Sequence, residues 1–146
     1  MKLACLLALT LLGVTTPMLA EKKIIQPTEF APGGPFNPAV LVDGTLYVSG
    51  QIGRDLKTQK VPGDFDAEVR QVFDNIGIIL REAKMTYADV VAVQVYLADI
   101  KDFQKMNGVY RTFFAEGPKP TRTTVQVVHL VNDARVEITT TAVKAR

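Results

Sequence analysis

The sequence has little of the chemistry on which many enzymes depend. Its 146 residues contain one cysteine, Cys5, one histidine, His129, and no tryptophan. A single cysteine excludes an intramolecular disulfide and a zinc site built from several cysteines, and a single histidine excludes a histidine-rich metal centre. The same scarcity argues against catalysis by a Ser-His-Asp or Cys-His group. No glycine-rich phosphate loop and no CxxC pair is present, so we expect neither a cofactor nor a metal.

An excess of charge of one sign is also missing. The chain has 17 basic and 15 acidic residues, a net charge of +2. A nucleic-acid-binding domain usually carries a strongly basic face, so we expect no nucleic-acid partner, although composition leaves a local basic patch open. The hydrophobic fraction of 47% and the charged fraction of 22% are ordinary for a globular domain, and the length suits one domain.

The N-terminal apolar run is shorter than the roughly 20 residues that span a bilayer. Lys2 precedes apolar residues 3–14, and Pro17 and Ala20 follow before the chain turns polar. This pattern predicts a secretory signal over residues 1–20 with cleavage near Ala20, and hence a periplasmic or secreted protein without further membrane contact. An uncleaved N-terminal anchor is the alternative interpretation. Cleavage would remove the cysteine.

Residues 21–146 have the pattern of a single domain with elements in the order ββαβαββ. Asp43-Gly44 separates the β-rich runs 40–42 and 45–49, which predicts a tight hairpin because glycine accepts the positive φ of such turns. Gly50 and Gly53 are predicted to end the second strand. The next predicted strand, residues 90–97, is almost uncharged and β-branched, which is typical of a strand buried on both faces.

Two helices are predicted between these strands. The first is capped by Asp64 or Asp66 and carries an apolar stripe at three- and four-residue steps, with Glu68 expected largely on the opposite side. The second begins near Asp99 or Asp102, and Gly117-Pro118 ends it.

Two strands, 123–128 and 136–143, complete the domain and are joined by a turn at Asn132-Asp133. The elements predict an α+β fold, a sheet with two helices on one face. The other face carries many Thr, Val and Tyr side chains. We therefore expect a homo-oligomer that forms through that face.

A few polar residues interrupt otherwise apolar elements and are candidates for chemistry. Arg122 opens a strand, and its planar guanidinium matches a small carboxylate with two parallel hydrogen bonds. Glu137 lies in the last strand and is suited to holding or activating a water molecule. Asn107 lies in the second helix, and Ser49 at a strand end. Each is equally explained as an exposed surface residue, and spacing alone does not place them in one pocket.

Several segments occur together in an order that is specific, although any one of them is weak. They are Gly34-Pro35-Phe36, Tyr47-Val48-Ser49-Gly50-Gln51-Ile52, Phe73-Asp74-Asn75-Ile76, Met106-Asn107-Gly108-Val109-Tyr110 with Phe113-Phe114, Pro120-Thr121-Arg122-Thr123-Thr124-Val125, and Val136-Glu137-Ile138. In these segments residues 24–146 resemble the reactive intermediate deaminase family, also called the Rid, YjgF or endoribonuclease L-PSP family.

The resemblance implies a chorismate-mutase-like fold with a mixed sheet, and a homotrimer with clefts between subunits. It implies a 2-iminobutanoate/2-iminopropanoate deaminase-like hydrolase, which converts reactive enamines and imines such as 2-aminoacrylate to 2-keto acids and ammonia without cofactor or metal. By the matching motifs, Arg122 holds the substrate carboxylate and Glu137 positions or activates the attacking water. Ser49 and Gly50 contribute to the cleft wall, and Asn107 supports the site.

Two positions depart from the family pattern and put the substrate preference in question. Phe36 stands where deaminating members have a tyrosine, so the ring is kept and the hydroxyl lost. Thr124 stands where many have a cysteine. Both are expected at the substrate, and a lost hydroxyl hydrogen bond costs about 1 kcal/mol.

Other function classes remain open beside the deaminase. One is a non-catalytic module that binds a small carboxylate in the same cleft, and another is a chaperone-like interaction protein. Endoribonuclease activity is disfavoured by the near-neutral charge. Arg122 together with Glu137 favours the enzyme, because binding a carboxylate needs no glutamate nearby. If the protein is exported, we expect its imines to come from amino-acid-oxidising enzymes in that compartment or from compounds taken in from outside.

Overall fold

The computed structural model describes residues 20–144, so residues 1–19 of the predicted signal segment 1–20 lie outside the described residues. Six strands and two α-helices are found in the described part. The strands are β1 (Lys22–Ile25), β2 (Ala39–Val42), β3 (Thr45–Ile52), β4 (Val90–Leu97), β5 (Thr121–Gln126) and β6 (Val136–Val143), and the helices are α1 (Phe65–Glu82) and α2 (Phe103–Phe113). They form an α+β fold around one sheet of order β1-β2-β3-β6-β4-β5. Only β4 and β5 run parallel, so the sheet is mixed.

The predicted hairpin joins β2 to β3. Asp43 and Gly44 have φ values of 46° and 77°, so both turn residues adopt the left-handed conformation of a two-residue hairpin. The predicted turn at Asn132-Asp133 is also confirmed, with φ values of 58° and 53°. Both turns place short polar side chains where a bulky residue would be strained.

Helix α1 begins where the sequence predicts, because the side chain of Asp64 accepts a hydrogen bond of 2.8 Å from the backbone N–H of Ala67. The prediction that Glu68 lies on the outer side of this helix is wrong. Glu68 is fully buried, and its carboxylate accepts 2.7 Å hydrogen bonds from the backbone N–H and from Nε of Arg135. It ties α1 to the segment that enters β6.

Helix α2 follows a short 3-10 turn, Ile100–Asp102, that Asp99 caps. The helix starts after Asp102, as predicted, and ends at Phe113, four residues before Gly117. Lys119 Nζ donates to the last carbonyls, at 2.8 Å to that of Ala115. A cation suits this end of a helix because the carbonyls there lack intrahelical partners.

Both helices cover the same face of the sheet, as predicted. Across the sheet, one row of side chains on that face is almost fully buried; from β1 to β4 it consists of Ile25, Ala39, Val48, Thr140 and Val93. Phe73 of α1 lies at the centre of the core and contacts the aromatic rings of Tyr87, Tyr110, Phe113 and Phe114. One chain therefore completes this side of the fold.

The opposite face, called here the open face, has no helix on it within residues 20–144. Tyr47 is 55% exposed and Val91 is 46% exposed there. The prediction that residues 90–97 are buried on both faces is wrong for the single chain, because Gln94 is also exposed. The open face nevertheless contains side chains that hydrogen-bond to one another: Thr139 Oγ1 donates to Gln94 Oε1 at 3.0 Å.

One strand and two strand boundaries differ from the sequence-based expectation. Strand β1 was not predicted, because its four residues begin with two exposed lysines and show no alternation. Strand β3 continues through Gly50, where a break was predicted, and ends at Ile52, directly before Gly53, which confirms the second predicted break. Strand β5 spans 121–126 instead of 123–128, since its pairing with β4 begins at Thr121. Within the described residues, no helix has both the length and the apolar character needed to cross a bilayer.

Candidate active site

Glu137 lies on the open face near the start of β6. Its neighbours in sequence, Val136 and Ile138, are fully buried on the helix side, so the alternation of the strand directs Glu137 the other way. It is paired with Ile52 of β3 and Tyr96 of β4. Among residues 20–144, no hydrogen bond or ion pair of its carboxylate is found. A carboxylate in this position is free to accept a hydrogen bond from a bound molecule.

Gly50 makes room for that carboxylate. The β3–β6 register shifts between Val48 and Gln51, so Gly50 lies in a bulge that brings its backbone toward Glu137. A Cβ added to Gly50 would lie 1.9 Å from Oε1 of Glu137, closer than two non-bonded atoms approach. Any side chain at position 50 would therefore force the Glu137 carboxylate to move.

A cavity of about 640 Å³ opens beside Glu137 and Gly50. Phe36, which is 67% exposed, is part of its wall, together with the other residues of the loop 29–36. Ser49 is not among the lining residues; its Oγ donates to the carbonyl of Asn37 at 2.7 Å and holds the end of that loop against β3. The prediction that Ser49 contacts substrate stays a prediction.

Asn75 of α1 fixes the opposite wall of the cavity. Its Nδ2 donates to the carbonyls of Ile52 at 3.2 Å and Arg54 at 2.9 Å, and its Oδ1 accepts from Gln71 Nε2 at 2.9 Å. These bonds satisfy a buried amide and hold the chain leaving β3 at a fixed distance from α1. Arg54, which is partly buried, also lines the cavity.

Arg122 lies elsewhere, on β5 at the sheet edge. It is opposite Val93 of β4, whose side chain is buried on the helix side. Its guanidinium carbon is 4.5 Å from the ring centroid of Tyr110 and 5.5 Å from that of Phe103, both on α2. No carboxylate of the described residues lies within 4.0 Å of it. Stacking occupies the face of the guanidinium and leaves its N–H edges for a ligand.

Asn107 and Thr124 accompany Arg122. Phe103, Asn107 and Tyr110 are four and three residues apart, so all three share the helix face beside the guanidinium. Thr124 lies two residues after Arg122 on the same side of β5, and its buried Oγ1 finds no hydrogen-bond partner among residues 20–144. Burial raises the pKa of the Tyr110 hydroxyl, and the charge of Arg122 partly offsets this.

The single chain therefore contains two separate groups of the predicted site residues. Phe36, Gly50 and Glu137 meet at the cavity, whereas Arg122, Asn107 and Thr124 meet beside α2. The two groups lie on opposite faces of the sheet, and β4 separates their strands. A small molecule cannot contact Arg122 and Glu137 of one chain simultaneously.

Sequence reasoning missed Asn75 and Arg54, which line the cavity, and the burial of Glu68. Glu68 and Asn75 occupy positions of the apolar stripe of α1, three residues after Phe65 and Val72. A polar residue at such a position is a signal that the side chain is buried and has a partner. Arg54 follows Gly53 in a polar stretch and carries no comparable signal.

The family model "Endoribonuclease L-PSP" matches residues 26–144. The chain is 44% identical over 126 residues to the 2-iminobutanoate/2-iminopropanoate deaminase of Rattus norvegicus, a match that covers 84% of this chain and 90% of that protein. It is 40% identical over 124 residues to a RutC family protein of Aquifex aeolicus, over 84% and 99% of the two chains.

Among solved structures, E. coli TdcF with bound serine superposes with a TM-score of 0.79 and 35% sequence identity, over 84% of this chain and 99% of that one. The match in sequence and fold covers nearly all of the described domain. The chain therefore belongs to the endoribonuclease L-PSP family, the family that its sequence motifs resemble.

Proposed function

We propose that the protein hydrolyses 2-imino acids to 2-oxo acids and ammonia, in a site to which two copies of the chain contribute. The observation that carries this proposal is Arg122. Its guanidinium is partly buried and stacked on Tyr110, and no carboxylate of residues 20–144 pairs with it. An arginine held in this way binds the carboxylate of a small acid through two parallel hydrogen bonds.

Glu137 supplies the second function, which is to act as the general base for the attacking water. In the proposed reaction a water oxygen attacks the imine carbon while the C=N electron pair moves to nitrogen. Glu137 accepts the proton that the water loses and returns it to nitrogen, which gives a carbinolamine. An oxygen electron pair of the carbinolamine then forms the C=O bond as the C–N bond breaks, and the hydroxyl proton passes through the same carboxylate to nitrogen, so that ammonia leaves. An imine carbon is already electrophilic, so positioning the water and a single carboxylate base suffices.

Two copies are required because the two groups of residues face opposite sides of the sheet. Contact between one copy's Arg122 group and another copy's open face would place a guanidinium and a carboxylate on either side of one substrate. The exposed Tyr47 and Val91 supply apolar surface for that contact. The homotrimer expected from the family resemblance is an arrangement of this kind, since its interface joins two different surfaces.

Two relatives support the substrate class. The rat protein, at 44% identity, is named a 2-iminobutanoate/2-iminopropanoate deaminase. TdcF of E. coli was solved with serine, an amino acid that carries a carboxylate and a nitrogen on the same carbon. A 2-imino acid presents the same two groups.

The predicted signal leads to a second part of the proposal, the location. We propose that residues 1–20 direct export and are removed near Ala20. The substrates would then be imines that amino-acid-oxidising enzymes release in that compartment or compounds that enter from outside. Mass spectrometry of the protein from a periplasmic fraction should give a mature N-terminus near Glu21. Intact protein beginning at Met1 in the cytoplasm would refute the location but not the chemistry.

A direct assay tests the chemistry. An L-amino-acid oxidase generates the imino acid in solution, and its disappearance is followed with and without the protein. The proposal expects faster loss with wild type, with a matching release of ammonia, and no acceleration with Glu137→Gln. Equal rates with and without the protein would overturn it.

A non-catalytic carboxylate-binding module is the second candidate, and the serine bound to TdcF is the observation that favours it. The same preparation distinguishes it from the enzyme. If 2-oxo acids bind to wild type and not to Arg122→Ala, while imine hydrolysis is not accelerated, the protein is a binding module.

A further inference from the structure

The lining of the cavity beside Glu137 is not limited to the residues expected at the reacting atoms. It includes Arg54 and Gln59 as well as Glu137 and Gly50, whereas 2-iminobutanoate has only seven non-hydrogen atoms. The lining residues other than Glu137 and Gly50 are therefore candidates to select the substrate side chain.

Arg54 is the cation among the described residues that line this cavity. The carboxylates there are Glu29, which is exposed, and Glu137. Neither lies within 4.0 Å of the Arg54 guanidinium, and no other carboxylate of residues 20–144 does. The charge of Arg54 is thus available to an anion in the cavity.

The backbone at Arg54 is fixed. Its carbonyl accepts the 2.9 Å hydrogen bond from the buried Asn75, which also holds the end of β3. Gly53, directly before it, is packed against α1 so closely that an added Cβ would lie 2.4 Å from the carbonyl oxygen of Glu68. Because the backbone is held from both sides, the Arg54 side chain starts from a constant position relative to Glu137.

We propose that Arg54 binds a second carboxylate, on the substrate side chain, and that the site accepts 2-imino dicarboxylates. This inference rests on the proposed imine hydrolysis. Arg122 of one copy would hold the carboxylate next to the imine carbon, and Arg54 beside Glu137 would hold the distal one. Without Arg54, a dianion near Glu137 would be repelled, since like charges in a partly desolvated site disfavour binding.

The test compares acidic and neutral substrates of similar length. Imines are generated from glutamate and from norvaline with suitable amino-acid oxidases, and kcat/KM is measured for wild type, Arg54→Met and Arg54→Lys. Arg54→Met should lower the acidic-to-neutral ratio of kcat/KM about tenfold or more, the loss expected for one charge-assisted contact. Arg54→Lys should lie between, because it retains the charge and loses the fork.

The matched control is Arg70→Met, which removes the same charge from an exposed position of α1 outside the cavity. It should leave the ratio at the wild-type value. A thermal melt of each variant shows whether the fold is kept, and Arg54→Lys preserves the test if Arg54→Met does not fold.

The outcomes separate this inference from the proposed function. An unchanged ratio in Arg54→Met overturns the role of Arg54 while imine hydrolysis stands. If wild type hydrolyses neither imine, the proposed function fails, and calorimetric binding of 2-oxoglutarate and 2-oxopentanoate then decides the inference alone. Tighter binding of 2-oxoglutarate to wild type than to Arg54→Met supports it, and equal binding overturns it.

Discussion

The two faces of the sheet differ in whether one chain completes them. On the helix side, Leu46, Leu97 and Ile138 are fully buried and Phe73 is surrounded by aromatic rings. On the open face, Tyr47 and Val91 are about half exposed. Burial of apolar area contributes roughly 25 cal/mol per Å², so the stability of the single chain comes mainly from the helix side.

The difference teaches where function is located in this fold. The helix side needs no partner and carries Arg122 only at its edge, beside α2. The open face carries Glu137 against Gly50, without a hydrogen-bond partner among residues 20–144. The face that one chain completes mainly serves stability and contributes Arg122 at its edge, whereas the face that it leaves incomplete is available for assembly and carries Glu137.

The largest expected effect tests the helix side. Phe73→Ala removes the ring at the centre of the aromatic cluster and should lower the free energy of unfolding by about 3–5 kcal/mol. Chemical denaturation measures this change. The comparison variant is Tyr47→Ala on the open face, measured at several protein concentrations. It should alter the concentration-independent stability of the chain by about 0.5 kcal/mol or less, because the proposed contact of Tyr47 is with another copy. Equal losses in the two variants would contradict the assignment of stability to one face.

The next effect concerns the Arg122 group. Arg122→Ala removes both hydrogen bonds to the substrate carboxylate and should reduce kcat/KM about a hundredfold or more, which corresponds to about 3 kcal/mol. Arg122→Lys should retain part of the activity because it keeps the charge. Arg111→Ala, at an exposed position on α2, controls for loss of a nearby charge. Full activity in Arg122→Ala would show that the carboxylate is bound elsewhere.

A smaller effect on activity is expected from a change beside Glu137 on the open face. Gly50→Ala places a methyl group against the Glu137 carboxylate and should lower kcat about tenfold, since a misplaced base loses its alignment with the water. Gly108→Ala on α2 is the control: nothing lies within 4 Å of the added Cβ there, and the substitution should stabilise the chain by about 0.4–1 kcal/mol. An unchanged kcat in Gly50→Ala would mean that catalysis does not depend on the present position of the Glu137 carboxylate.

Much of the fold was predictable from local patterns. The Asp43-Gly44 turn, the Asp64 cap and the apolar stripe of α1 depend on residues close in sequence, and each was confirmed. Strand β1 was missed because its pairing with β2 is set by tertiary contact and not by its own four residues. The bulge at Gly50 was missed for the same reason, since it belongs to the pairing of β3 with β6, a strand that comes much later in the chain.

The sequence predicted which residues form the candidate site but not how they are arranged in space. Arg122 and Glu137 stand out as charges in apolar strands, but no local pattern indicates which face of the sheet each occupies. Their register with Val93 and Tyr96 of β4 settles that point, and it places them on opposite sides. Register is a property of the assembled sheet, which is why the sequence alone does not reveal that Arg122 and Glu137 lie on opposite faces of one chain.

Complementation between two inactive variants tests the central proposal most directly. Arg122→Ala and Glu137→Gln chains are prepared separately and also co-expressed, so that mixed oligomers form, and imine hydrolysis is measured for all three samples. If each site takes Arg122 from one copy and Glu137 from another, random mixing at equal amounts leaves about a quarter of the sites intact. The account predicts that each variant alone is inactive and that the mixture recovers about that share of wild-type activity. A mixture as inactive as its components would contradict it.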